Sequence, residues 1–223
     1  MRVGVRPRRV NPPAADIELV ALDLDGTLLH GDTVSEAIAR SIGRLDRMRE
    51  LEAADVDRAA TERLREEVAD WFLGHSLDAL REPLPEMTVA PGTRTAFQRF
   101  RDAGVDTAIV SLSWEFAVEY FAATFGADHA IGTRFDPDRG ITDHVWPEDK
   151  PELVRDLAEE RGLDMAQVAG VGDSFRDVPM LEACGRAYYV GEQLPVELGG
   201  ARHCPEGDVA EIAADLLGES TSS

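Results

Sequence analysis

The chain has 223 residues, of which 43% are hydrophobic and 30% charged, as in ordinary globular proteins. Its formal net charge is −20 at pH 7, so its surface should repel the phosphates of a nucleic acid. No apolar run approaches the roughly 18 residues that a membrane-spanning helix needs. These properties argue against a nucleic acid and a membrane as partners. A phosphorylated small molecule would also be repelled unless its site supplied cations.

The two ends and the two cysteines bear on location. Residues 1–15 are rich in arginine and proline and lack the apolar segment of a signal peptide. We interpret them, and residues 218–223, as flexible tails. Cys184 and Cys204 have no spacing typical of a disulfide framework or a metal site. Together these features predict a cytoplasmic protein.

The first predicted strand is the apolar run at residues 17–22, which leads directly into Asp23 and Asp25. Its length and its abrupt polar end are typical of a buried parallel strand whose carboxyl end presents carboxylates.

A helical, highly charged segment follows this strand. Thr33 and Glu36 form a predicted capping box at its start. Apolar residues then recur at helical spacing, first at Val34, Ile38, Ile42 and Leu45, and again at Leu64, Val68, Trp71 and Phe72. We interpret residues 32–88 as a small all-helical cap inserted after the first strand.

From Val89 onwards, predicted helices and strands alternate. The strands are predicted at residues 105–110, 167–171 and 187–190, and the helices at 114–125, 152–161, 178–183 and 209–217. Such alternation predicts an α/β fold, a Rossmann-like parallel sheet with helices on both faces. Residues 16–31 and 89–217 would form this core domain.

Four polar clusters follow predicted strands or precede a helix, at the edge where open α/β sheets bind ligands. The first is the pair Asp23 and Asp25. Carboxylates at i and i+2 in an extended chain point the same way. One can be a nucleophile and metal ligand while the other transfers protons. Alone, the pair is equally compatible with a turn in which aspartate binds backbone amides.

The second and third clusters suit an anion. The segment Ser111-Leu112-Ser113 is predicted at a helix N-terminus, where a hydroxyl and free amides can bind phosphate. Lys150 is the single lysine of the chain, and a flexible ammonium suits phosphate neutralisation. A serine that only caps the helix and a lysine that is only solvated are the alternatives.

The fourth cluster contains Asp173 and Asp177. Carboxylate oxygens at this spacing, facing Asp23, suit Mg²⁺, which takes few protein ligands and keeps several waters. Asp177 could also cap the following helix.

Taken in order, these clusters read Asp-x-Asp-x-Thr, a serine after the second strand, a lysine, and Gly-Asp-x-x-x-Asp. This order resembles that of the haloacid dehalogenase (HAD) superfamily, over about Leu19 to Gly191. The cap position and the segments 108–113 and 172–181 resemble those of its phosphoserine-phosphatase-like branch.

The resemblance implies a role for each cluster. Asp23 would form an aspartyl-phosphate, and Asp25 would be the general acid and base. Mg²⁺ would be held by Asp23, the backbone carbonyl of Asp25, and Asp173, with support from Asp177. The phosphoryl group would be bound by Ser111, Leu112 and Lys150.

The same resemblance suggests two residues for substrate recognition. Asp32 lies nine positions after the nucleophile, where the branch usually has glutamate, and Arg65 could correspond to a cap arginine that grips the substrate. The alternatives are that Asp32 caps the first cap helix and that Arg65 is solvated. Leu112 stands where phosphoserine phosphatases typically have glycine, which adds bulk near the substrate. These departures argue for a small phosphorylated metabolite other than phosphoserine.

The function predicted is therefore that of a Mg²⁺-dependent phosphomonoester hydrolase. A phosphotransferase or phosphomutase on the same fold, and a non-catalytic phosphate-binding module, are the alternatives. The motifs do not separate a hydrolase from a phosphotransferase, but the type of cap favours hydrolysis, and the complete set of catalytic positions argues against a binding module. Asp25 disfavours dehalogenation, which in this superfamily does not use an acid at that position.

Overall fold

The computed structural model of the protein describes residues 17–219, and every structural statement below concerns this range. The tails predicted at residues 1–15 and, apart from Gly218 and Glu219, at residues 218–223 lie outside it. Within the range, no helix combines the length and the apolar character needed to cross a membrane.

A mostly parallel sheet forms the centre of the core. The strands of the described chain are β1 (Leu19–Leu22), β2 (Leu29–His30), β3 (Thr88–Val89), β4 (Asp106–Trp114), β5 (His129–Asp136), β6 (Gly140–Asp143), β7 (Val168–Gly172), β8 (Arg186–Tyr189) and β9 (Arg202–His203). Seven of them form one sheet in the order β6-β5-β4-β1-β7-β8-β9. Only the β5–β6 pair is antiparallel.

Helices cover both faces of this sheet. They are α1 (Val34–Ser41), α2 (Leu45–Ala53), α3 (Arg58–Phe72), α4 (Leu77–Arg81), α5 (Thr93–Ala103), α6 (Glu115–Phe125), α7 (Lys150–Glu160), α8 (Val178–Ala183) and α9 (Val209–Leu216). Successive residues of β1 face opposite sides, as the twofold period of a strand requires. Val20 and Leu22 pack with α5, α6 and α9, whereas Leu19 and Ala21 pack with α7 and α8. The predicted Rossmann-like α/β fold is confirmed.

The cap consists of α1 to α4 and leaves the core through a two-stranded ribbon. Leu29 pairs with Val89 and His30 pairs with Thr88, so the chain enters and leaves the cap side by side. Thr33 caps α1 and forms the predicted capping box with Glu36. The boundaries of the cap at 32 and 88 remain a prediction that this arrangement supports.

An aromatic cluster docks the cap on the core. Phe72, at the end of α3, is fully buried among Trp114, Phe116 and Phe135, with ring centroids 5.3, 6.4 and 5.9 Å away. The indole nitrogen of Trp114 donates to Oγ of Ser35 in α1 at 3.0 Å. Edge-to-face aromatic contacts of this kind add to the stabilisation from burial.

Two elements differ from the sequence prediction. The predicted continuous spacing from Val34 to Leu45 is interrupted, because Gly43 adopts φ +73° and α2 begins separately. The helix predicted from Trp114 begins one residue later, and β4 extends to Trp114, which pairs with Thr133 beyond an irregularity in the register. Burial of Trp114 against the aromatic cluster stabilises this extension.

Candidate active site

The carboxyl ends of β1, β4 and β7 meet the start of α7 at one cavity of about 440 Å³. The in-register parallel pairing of β1 with both neighbours brings these strand ends together. The cavity is lined by all seven core residues predicted for the site: Asp23, Asp25, Ser111, Leu112, Lys150, Asp173 and Asp177. Its volume is within the range of small-molecule sites.

Lys150 is the electrostatic centre of the cavity. Its side chain is fully buried, and Nζ donates to Oδ1 of Asp23 at 2.7 Å and to Oδ1 of Asp177 at 2.6 Å. Burial alone would lower the pKa of this lysine, but the two carboxylates outweigh burial and raise it. Lys150 therefore stays charged. A solvated lysine, the alternative from sequence, is excluded.

Asp23 directly follows β1, and its carboxylate is buried. Its side chain is almost fully enclosed, and burial raises its pKa to about 7, although Lys150 opposes the rise. Asp177 and Asp173 add to the rise through their negative charge. Such crowding of acids at low exposure is the environment that a bound cation relieves.

Asp173, Asp177 and Asp23 offer oxygens that lie within 4.8 Å of one another. Asp173 Oδ1 also accepts from Thr27 Oγ1 at 3.1 Å. Gly26 has φ +84°, and a Cβ at this position would lie 2.2 Å from Oδ2 of Asp173. Hard carboxylate oxygens that lie this close together, beside a glycine without a side chain, fit a divalent cation.

Asp177 organises the loop after β7. Its Oδ2 accepts from the amides of Asp173 and Ser174 at 3.2 and 3.1 Å and from Ser174 Oγ at 3.0 Å, while Oδ1 accepts from Lys150. Asp177 also occupies the N-cap position of α8, the alternative taken from the sequence, but its side chain makes no capping hydrogen bond to that helix.

Asp25 connects the core with the cap. Its Oδ1 accepts from the amide of Val34, the first residue of α1, at 2.8 Å. Burial, and then the charge of Asp23, raise the pKa of Asp25 to about 7, which suits an acid that must both give and take a proton near neutral pH.

Residues 111–113, which we call the phosphate loop after the role predicted for them, lie in the irregular last part of β4. Ser111 is buried, and its Oγ accepts from the amide of Ser113 at 3.3 Å. The predicted helix N-terminus at this segment is wrong, because α6 begins only at Glu115. The amides that could face an anion are those of an irregular strand end instead.

The two residues suggested for substrate recognition lie in different places. Arg65 is 5% exposed and lines the cavity. Asp32 does not line it; its carboxylate pairs with Arg40, and with Arg49 at 3.7 Å. The structure therefore brings Arg65 to the site and leaves Asp32 outside it.

Several residues of the site escaped the sequence analysis. Thr27 of the first motif is buried beneath the cavity and donates to Asp173. Glu52 of α2 and the pair Asp55 and Arg176 line the cavity. Glu52 accepts from Thr33 Oγ1 at 3.0 Å, and Arg176 donates to Asp55 across the boundary between core and cap. Glu52 and Asp55 lie far from the motifs in sequence, so no motif indicated that they reach the cavity. Arg176 lies between Asp173 and Asp177, which was the one available indication.

Fold and cavity together are those of a haloacid dehalogenase-like hydrolase. A model of that family, described as haloacid dehalogenase-like hydrolase, matches residues 20–182. The chain belongs to this family, which confirms the resemblance found in the ordered motifs.

Individual relatives agree with this assignment. The chain is 28% identical to a phosphoserine phosphatase of Halobacterium salinarum over 223 residues, covering 90% of this chain and 95% of that one. It is 28% identical to the inhibition of morphological differentiation protein of Streptomyces azureus, covering 62% and 54%, and 23% identical to a phosphoserine phosphatase of Archaeoglobus fulgidus, covering 75% and 50%. The chain thus spans about half the length of these last two relatives.

Among solved structures, a substrate-bound phosphoserine phosphatase complex matches with a TM-score of 0.73 at 18% identity, covering 88% of this chain and 96% of that one. A phospho-aspartyl intermediate analogue of phosphoserine phosphatase matches with a TM-score of 0.69 at 18% identity, covering 84% and 92%. At such identity these matches establish the shared fold.

Proposed function

We propose that the protein is a Mg²⁺-dependent phosphomonoester hydrolase that forms an aspartyl-phosphate on Asp23. One observation carries the proposal: the Asp23 carboxylate is held 2.7 Å from the buried Lys150 ammonium, beside Asp173 and Asp177, on the floor of a substrate-sized cavity. The names of the relatives, phosphoserine phosphatases among them, support the same class of reaction.

In the first half-reaction, an oxygen of Asp23 attacks the phosphorus atom of the ester. The new bond joins the carboxylate oxygen to phosphorus, and the bond between phosphorus and the alcohol oxygen breaks. Asp25 in its protonated form gives its proton to the departing alcohol oxygen. The hydrogen bond from Val34 to Oδ1 of Asp25 fixes the orientation of this carboxyl group.

In the second half-reaction, Asp25 as a carboxylate takes a proton from water. The water oxygen then attacks the phosphorus atom, the bond to Asp23 breaks, and inorganic phosphate leaves. The proton taken from water restores the acid form of Asp25 for the next cycle.

The phosphoryl oxygens need positive charge around them. An ammonium carries three hydrogens. Asp23 and Asp177 accept two from Lys150, and a phosphoryl oxygen would accept the third. Ser111 Oγ and the amides of the phosphate loop would bind the remaining oxygens. Asp23, the carbonyl of Asp25 and Asp173 would hold the divalent cation, which would supply positive charge against the transferring group.

We further infer that the substrate is a small phosphorylated metabolite and that the protein works in the cytoplasm. The cavity volume of about 440 Å³ supports the first inference. Both cysteines are free thiols, which supports the second.

Phosphate release from a panel of phosphomonoesters tests the proposal, with Mg²⁺ or EDTA present and with Asp23→Asn as a parallel variant. We expect release that requires the metal and falls by about 10⁴-fold or more in Asp23→Asn, because a nucleophile that acts as part of a unit has a large effect. Undiminished release by the metal-free protein or by Asp23→Asn would refute the mechanism. A phosphorylated product without free phosphate would identify a phosphotransferase.

A further inference from the structure

Arg65 is a cap residue whose side chain reaches into the core. One of its terminal nitrogens, Nη2, donates to the backbone carbonyls of Leu112 at 3.2 Å and Val145 at 2.9 Å. The other, Nη1, lies 3.2 Å from Nδ1 of His144, and the guanidinium lies 4.5 Å from the ring centroid of Trp146. Because these partners contact both the edge and the face of the planar guanidinium, they fix its orientation.

The two segments that Arg65 bridges both carry groups that hold the phosphate. Leu112 is the centre of the phosphate loop, and Val145 begins the lysine loop, our name for residues 145–149, which leads directly into Lys150. Thr133 of β5, which is 1% exposed, bridges the same two segments from the core side. Its Oγ1 donates to the carbonyl of Leu112 at 3.0 Å and accepts from the amide of Val145 at 3.2 Å.

We propose that Arg65 is a positioning residue, which holds the phosphate loop and the lysine loop at the spacing that a phosphoryl group requires. The docked cap then sets the phosphate site for every ester, whatever its alcohol half. This inference rests on the proposed function for its kinetic test, but phosphate affinity tests it separately.

A grip on a substrate carboxylate fits the contacts less well. The nitrogen Nη2 carries two hydrogens, and both are directed at main-chain carbonyls. A bidentate carboxylate would have to displace at least one of these bonds. The carbonyl of Leu112 would keep the hydrogen bond from Thr133, but the buried carbonyl of Val145 would lose the donor that Arg65 supplies, which is costly. Burial lowers the pKa of Arg65 to about 10, so the guanidinium keeps its charge at neutral pH.

The same helix offers a matched control. Arg58 also lies in α3, stacks on Trp146 at 4.0 Å from the ring centroid, and pairs with Glu148 of the lysine loop. Its side chain is 54% exposed, and its partners within residues 17–219 lie outside the phosphate loop. The variant Arg58→Met therefore removes a cation that joins the cap to the core, but it keeps the bridge that Arg65 forms between the two loops.

Three esters separate positioning from recognition: O-phosphoserine, which has a carboxylate and an amine; O-phosphoethanolamine, which has only the amine; and p-nitrophenyl phosphate, which has neither. We expect Arg65→Met to lower kcat/KM for all three by the same factor, about 10- to 100-fold, as small displacements of reacting groups do. Arg65→Lys should lose less, and Arg58→Met should stay within about twofold, as expected for an exposed cation.

The core-side bridge supplies a second, more specific measurement. Thr133→Val removes the other link between the two loops, so its effect and that of Arg65→Lys should not multiply in the double variant. Independent, multiplicative effects would contradict a shared role. Urea unfolding of each variant corrects for any unfolded fraction, and Arg65→Lys keeps the test available if Arg65→Met does not fold.

Binding of inorganic phosphate to the Mg²⁺-loaded protein, measured by calorimetry, tests the positioning role of Arg65 separately from the proposed hydrolase function. We expect at least about fivefold weaker binding in Arg65→Met and unchanged binding in Arg58→Met. A loss confined to phosphoserine, or unchanged phosphate affinity in Arg65→Met, would overturn the positioning role. If the wild-type protein hydrolyses none of the esters, the proposed function fails, whereas phosphate affinity still decides the role of Arg65.

Discussion

The floor and the roof of the cavity are built on different principles. The floor, formed by Asp23, Lys150 and Asp177, is almost inaccessible to solvent, and its charges contact one another at 2.6 and 2.7 Å. The roof carries Glu52 and Asp55 of the cap, both partly exposed. Asp55 pairs with Arg176 of the core, and Glu52 with Thr33.

This difference separates chemistry from selectivity. A dense, dry network of charges holds one arrangement, because any displaced member leaves a buried charge without a partner. Partly exposed pairs exchange their partners for water or ligand at a lower cost. The floor therefore suits the common phosphoryl step, and the roof suits discrimination between alcohols.

The largest effect expected on stability comes from removing the central charge of the floor. Lys150→Met leaves Asp23 and Asp177 facing each other in a buried space, so we expect a loss of about 3–5 kcal/mol in the free energy of unfolding. Urea denaturation in EDTA measures this loss. Arg58→Met, at the edge of the cap, should cost no more than about 1 kcal/mol. Equal losses for the two variants would remove the distinction between floor and periphery.

A smaller effect is expected where the backbone approaches Asp173, one of the proposed metal ligands. In Gly26→Ala the new methyl group would collide with Asp173, so we expect the Mg²⁺ affinity to fall by about 10- to 100-fold. Gly31→Ala is a matched control, because Gly31 has the same φ of +84° but no heavy atom within 4 Å of the point where a Cβ would lie. Titrating the melting temperature with Mg²⁺ compares them. Similar Mg²⁺ responses would mean that backbone strain, and not the collision, is responsible.

The smallest effect concerns Glu52 in the roof. Burial, and then the charge of Glu36, raise the pKa of Glu52 from 4.5 to about 7. Because the folded state holds this proton more tightly, ionisation of Glu52 destabilises the fold progressively as the pH rises from about 4.5 through 7. Glu52→Gln should therefore melt about 2 °C higher than the wild type at pH 8, with the gap closing towards pH 4.5.

Glu66, an exposed glutamate of α3, supplies the control for this measurement. Glu66→Gln makes the same chemical change at a residue that does not line the cavity, and so shows how much of the difference comes from replacing any glutamate of the cap. A gap for Glu52→Gln that is constant between pH 4.5 and 8 would show that the ionisation of Glu52 does not contribute.

The floor and the neighbouring Asp173 could be predicted from sequence because these residues lie at the end of a strand or at the start of a helix. Asp23 and Asp173 directly follow β1 and β7, whose parallel pairing brings their ends together. Lys150 begins α7 beside them. Residue type, order and local structure were sufficient, since the sheet itself supplies the long-range geometry.

The roof could not be predicted in this way. Counting nine residues from Asp23 led to Asp32, but Thr33 occupies the N-cap of α1 and Asp32 lies with the arginines at positions 40 and 49. Glu52 reaches the cavity only because Gly43 turns the chain into a separate α2. Positions in the cap depend on how its helices pack, which residue spacing alone does not specify.

The ribbon of β2 and β3 has a consequence for the history of the chain. Because residues 29–30 pair with residues 88–89, the cap begins and ends at neighbouring points on the core surface. An inserted segment of another length or shape could be joined at the same two points without altering the order of the large sheet. Related proteins could thus acquire new substrates through a different cap, while the core with its catalytic residues was inherited unchanged.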